Sequence, residues 1–92
     1  IEAAHIVPVS DNGSDDSGNG LLLCRNHHAL FDMGKWCLEP TSLEVIPEKG
    51  RDLHSLGVTR PNASHLQVMP NEEALDWRWR QFQHQQLKAV TA

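Results

Sequence analysis

Ninety-two residues suffice for one small domain with a modest core. Apolar residues make up 39% and charged residues 22%, the balance of a globular chain rather than a disordered one. The net charge of −4 argues against a general nucleic-acid coating protein, which is strongly basic, yet leaves room for an enzyme that meets phosphate through a cation and a few arginines.

No run approaches the roughly 18 to 20 apolar residues that cross a bilayer, and nothing has the form of a signal peptide. A cytoplasmic protein without a membrane segment is expected. The chain opens at Ile1 directly into a strand-like segment, which points to a single domain, residues 1–92, cut from a longer protein. Cys24 and Cys37 are too few for a disulfide framework and are expected free and mostly buried, Cys24 in the core.

In chain order, residues 2–9 have the apolar and β-branched content of a strand that ends, or lies at an edge, at Pro8. His5 lies within it. Ser10 to Gly18 is loop composition, and Asp11, Asp15 and Asp16 are expected to be solvated there. The spacing of a calcium loop and its closing Glu are missing. Leu21 to Cys24 reads as a buried strand pairing with the first. A helix follows, with Asn26 as N-cap, Gly34 as C′ stop, and Ala29, Leu30 and Phe31 turned to packing surfaces. Trp36–Leu38 and Ser42–Ile46 are expected to form a small hairpin, and Pro47 to Pro70 an irregular loop. Asn71 then caps a helix over about 71–89, with Glu72 and Glu73 in its first turn and Leu75, Trp79, Phe82 and Leu87 as its packing stripe. Arg78 and Arg80 point elsewhere, while Trp77 and Trp79 suit packing better than base stacking.

Some of these residues suit phosphodiester cleavage, which needs an activated water and charge stabilisation at phosphorus and at the leaving oxygen. An imidazole accepts a proton near neutral pH. His28 and Asp32, four apart, share one helical face and can hold one divalent cation. Asn19 has an amide that can orient an imidazole or ligate a hard ion through oxygen. Each feature alone has a plainer reading: a packed histidine in a strand, turn chemistry for Asn19, a surface aspartate on a helix. The ordered set is the better argument.

The pattern AAHIVP, a polar loop, then NGLLLCRNHHALFDMG, closely resembles the HNH endonuclease family, whose fold is a ββα-metal finger. The match covers residues 2–38, and its FD-x-G continuation is similar to C-terminal modules of restriction and defence enzymes. The resemblance implies an α+β fold with a ββα-metal finger core, to which this chain adds a small hairpin and a C-terminal helix. It implies a metal-dependent endonuclease acting on DNA, with His5 as general base, Asn19 as the residue that positions it, and His28 as metal ligand. Asp32 falls where nuclease colicins place a further histidine ligand. The implied ion is Mg2+ in vivo, with Mn2+, Ni2+ or Zn2+ as substitutes.

Ala4 stands where many members carry a ligand, so the ion would rest on fewer protein groups, with water, Glu2 or Asn19 completing it. The paired Cys-x2-Cys of a zinc knuckle is also missing: His27 stands at the second position after Cys24, and only Cys37 remains. Arg25 and Lys35, flanking the helix, are candidate DNA-backbone contacts, as are Arg78 and Arg80. Phosphate contacts carry no base information, so target choice is assigned to an N-terminal recognition domain outside this sequence; a homodimer is compatible. The alternatives are a non-catalytic DNA- or protein-binding module on the same scaffold, or a zinc-stabilised interaction domain.

Overall fold

The computed structural model describes residues 2–63, 66 and 69–91. The elements are β1 (Glu2–His5), β2 (Gly20–Leu23), α1 (Arg25–Asp32), β3 (Trp36–Leu38), β4 (Val45–Pro47) and α2 (Glu72–Thr91). Two small antiparallel hairpins, β1–β2 and β3–β4, and a long C-terminal helix make the α+β fold expected of the sequence. The first hairpin and α1 stand in ββα order.

β1 pairs with β2 in a register that sets Ala4 opposite Leu21 and His5 opposite Gly20. The strand is shorter than the span of residues 2–9. After His5 the chain leaves the ladder, because Asn19 takes over its pairing and Pro8 leads into a 3-10 turn at Val9–Asp11. Side chains alternate across a strand. Ala4, buried, therefore shares the inward face with Glu2, while His5 and Ala3 lie on the other.

α1 starts one residue after β2 ends. Cys24 is the last extended residue (φ −69°, ψ 163°) and so occupies the cap position; its Sγ accepts the His27 amide at 3.5 Å. This corrects two expectations: Cys24 is exposed rather than core, and Asn26 lies inside the first turn rather than capping it. The C-terminus is as expected. Gly34 takes φ +73°, and the Lys35 and Gly34 amides donate back to the Leu30 and Phe31 carbonyls at 2.9 and 3.0 Å, the Schellman pattern. Phe31 is buried against Trp36, ring centroids 4.9 Å apart, and Leu30 is half-buried, but Ala29 is exposed.

β4 begins at Val45 rather than Ser42. The Glu39 carboxylate accepts the Thr41 and Ser42 amides, and Leu43 adopts φ 59°, so residues 40–44 form the turn. The following loop is irregular, with a turn at 53–57 and a bridge from Glu44 to Asn62; its residues 64, 65, 67 and 68 lie outside the described ones. Asn71 caps α2 as expected, its Oδ1 accepting the Ala74 amide at 3.1 Å. Leu75 and Phe82 are buried, and Trp79, half-buried, stacks on Phe82. Leu87 is 67% exposed and leaves the stripe, because the core ends short of it. No described helix is long and apolar enough to cross a membrane.

Candidate active site

Asn19 is the one buried polar residue among those described, at 6% exposure. Its Oδ1 accepts the Val7 amide at 2.8 Å, and its Nδ2 donates to the carbonyls of Val7 at 3.0 Å and Ser14 at 2.8 Å. Its backbone adds bonds with Ile6 and Asp16, both 2.9 Å. The amide oxygen is engaged by the Val7 backbone, and the side chain does not bond the His5 ring. It clamps the chain on either side of the loop instead. Gly13 packs against the same Val7 carbonyl so closely that a Cβ there would lie 1.7 Å from the oxygen.

His5, at the end of β1, is half-exposed. Its Nε2 lies 2.9 Å from Asp15 Oδ1, so Asp15 is a partner rather than the purely solvated residue expected of its loop. A carboxylate only accepts, so the ring donates from Nε2 and its Nδ1 is the acceptor in the neutral form. The pair lines a cavity of about 380 Å³ whose other walls include Ala3, Leu22 and Leu66.

His28 projects from α1 with about a quarter of its side chain exposed. Its Nδ1 is 2.8 Å from Glu2 Oε1, and its Nε2 is 3.2 Å from Asp32 Oδ2. The helical spacing thus delivers the expected His28–Asp32 pair, and β1 adds Glu2. The two carboxylates sit on opposite ring nitrogens, so a cation at Nε2 would meet Asp32 but not Glu2. The 3.2 Å separation is close to the ~3 Å between neighbouring ligands of an octahedral ion with bonds of ~2.1 Å. Glu2 fits the outer role of fixing ring orientation through the other nitrogen. Among the described residues no group of three or more His, Cys, Asp and Glu side chains stands ready to hold one ion. Two protein ligands are what the geometry offers.

The neighbouring His27 is engaged elsewhere. Its Nε2 donates to the Leu56 carbonyl at 2.9 Å, leaving Nδ1 to face Cys24 Sγ at 3.1 Å. Cys37 is buried on β3, where burial pushes its thiol up to about 11. Arg25 is largely exposed, 3.7 Å from Glu2, whereas Lys35 pairs with Glu48 at 3.5 Å.

Arg78 corrects the expectation of a solvated or DNA-facing cation. Its side chain is 13% exposed and donates to the Ile6 and Phe31 carbonyls at 3.3 and 2.7 Å. The guanidinium lies 4.2 Å over the Phe31 ring and 3.9 Å from Asp32 Oδ1. Burial pulls its pKa below the usual value, opposed by Cys37 and Asp32. Nothing in the helical pattern of α2 marked it, because its partners are carbonyls on other elements. Arg80 is exposed and bonds the Asp76 carbonyl at 3.4 Å.

A hairpin whose first strand ends in histidine, followed by a helix presenting a second histidine and an aspartate, defines a ββα finger. Residues 1–39 match the family model described as HNH endonuclease. Over this segment the chain is similar to the HNH endonuclease family. No curated protein and no solved structure matches it.

Proposed function

We propose that the chain is a divalent-metal-dependent endonuclease that hydrolyses DNA phosphodiester bonds. The observation that carries this reading is the His28 ring held between Glu2 and Asp32, on the helix that follows the His5 strand. A ring flanked by carboxylates on both nitrogens donates twice only as an imidazolium. A divalent cation in place of the Nε2 proton satisfies the same acceptor and suits the His–Asp donor set. His28 Nε2 and Asp32 would hold it, with water and substrate phosphate filling the remaining positions. Glu2 shares the face of β1 with Ala4 but does not replace the missing ligand; it orients His28 through Nδ1.

When bound, the ion supplies positive charge against the phosphoryl oxygens and the leaving 3′ oxygen. His5 takes the proton of the attacking water. Asn19 fixes the backbone beside His5, and Arg25 and Lys35 meet the DNA backbone, Lys35 after parting from Glu48. Mg2+ is the working ion, replaceable by Mn2+, Ni2+ or Zn2+. The FD-x-G continuation supports a cytoplasmic cleavage module of a restriction or defence protein, with target choice made by another domain.

Purified protein is expected to nick supercoiled plasmid in Mg2+ or Mn2+. His5→Ala should abolish nicking with the fold intact, and His28→Ala should weaken metal binding by calorimetry. Undiminished nicking by His5→Ala removes the base assignment, and unchanged affinity in His28→Ala removes the ligand.

A further inference from the structure

We infer that Asp15 is a positioning residue for the base: its carboxylate holds His5 in the Nε2–H form, leaving Nδ1 as the atom that accepts the proton of water. The inference rests on the reading of His5 as the base. An exposed ion pair ordinarily contributes little, because two mobile side chains must be held in one geometry. Asp15 is 92% exposed, so its contact with His5 at 2.9 Å would carry no weight if its loop were free.

The loop is not free. Both neighbours of Asp15 are fastened to Asn19: the Ser14 carbonyl by Nδ2 at 2.8 Å and the Asp16 carbonyl by the backbone amide at 2.9 Å. The Asp16 amide also donates to Ser14 Oγ at 3.2 Å, closing a turn over Asp15 itself. On the other side, Asn19 holds Ile6 and Val7, the two residues after His5. One buried side chain thus fixes the backbone beneath both members of the pair, so most of the ordering entropy of the contact is already spent in folding. The role of Asn19 in positioning His5 is then indirect. It places Asp15, and Asp15 places the ring.

The fixed tautomer matters because a neutral imidazole accepts a proton at only one nitrogen. With Nε2 committed to Asp15, the neutral His5 ring keeps Nδ1 as its acceptor, and the carboxylate compensates the positive ring that forms when the proton arrives.

The test uses the full chain with ¹⁵N-labelled histidine. Long-range ¹H–¹⁵N spectra at neutral pH should show His5 as the Nε2–H tautomer in the unaltered protein. In Asp15→Ala that preference should be lost, and in Asp15→Asn, which keeps an acceptor oxygen, it should be largely retained. In plasmid nicking, Asp15→Ala should lower kcat at least about tenfold with KM within twofold, and Asp15→Asn should recover part of it. An Nδ1–H tautomer in the unaltered protein overturns the proposal. So does Asp15→Ala with an unchanged tautomer and a faster reaction from tighter DNA binding, which would make Asp15 a repulsive surface charge. Should the unaltered protein nick no DNA, the endonuclease reading fails while the tautomer still decides whether Asp15 positions the ring.

Discussion

Glu2 gives His28 the outer carboxylate that metal-bound imidazoles commonly have, and it does so from a neighbouring strand. Gln at this position keeps an acceptor for the Nδ1 hydrogen but loses the charge. Glu2→Gln is expected to weaken Mn2+ binding about tenfold while leaving nicking at saturating metal close to normal; calorimetric titration giving equal affinities would remove Glu2 from the site. At this scale the sequence was legible where spacing along one element decides the geometry. His28 and Asp32 meet because they are one helical turn apart, and His5 and Asn19 stood out through their order in the chain. Asp15 was read as solvated, and Glu2 was offered only as one alternative for completing the metal rather than as a partner of His28, since each meets its histidine only when separate segments close on one another. Cys24 was misread for a local reason: the apolar run of Leu21 to Leu23 continues into it, while the backbone has already turned toward the helix.

Among the elements, the β3–β4 turn carries the clearest electrostatic signature. Hydrogen bonds from Ser42, its amide foremost, and from Thr41 hold the Glu39 carboxyl down from 4.5 to about 2. A carboxylate whose pKa is lowered on folding stabilises the fold above its unfolded value and ceases to as pH falls through the folded one. The hairpin is therefore expected to weaken as pH drops from about 4.5 toward 2, seen as loss of protection at the Glu39 amide, which donates to the Glu44 carbonyl across the hairpin. Glu39→Gln should flatten that dependence; an identical pH profile in the variant would refute the assignment. The hairpin itself was readable from two short apolar runs around Glu39-Pro40-Thr41, but its register was not. The positive φ of Leu43 and the reach of one carboxylate over three residues lengthen the turn and push β4 to Val45. The cap of α2 was readable because Asn71 and the acidic first turn act locally, whereas the exposure of Leu87 depends on where the core stops.

For the molecule as a whole, the decisive contacts run from α2 to the finger. Arg78 lies outside the family-matched residues 1–39, yet it bonds the carbonyls of Ile6 and Phe31 and stands beside Asp32. The segment that carries the candidate catalytic residues is thus closed by a helix that follows it in the chain. Arg78→Met takes the guanidinium donor from the Ile6 carbonyl and leaves Phe31's with the Gly34 amide alone, and should lower stability by about 2 kcal/mol in urea unfolding. Arg78→Lys should recover only part, because an ammonium cannot fork to two carbonyls as a guanidinium does; full stability in Arg78→Met would show the clasp to be dispensable. The start of α2 is tied in as well, the Asn71 amide donating to the Gly18 carbonyl at 2.6 Å. The clamp around Asn19 also governs how the finger can fluctuate. The residues after His5 and those flanking Asp15 share one buried amide, so neither segment can detach while the other stays in place. Backbone opening there is expected to be one cooperative event, in which the segments beneath His5 and Asp15 are lost and regained together.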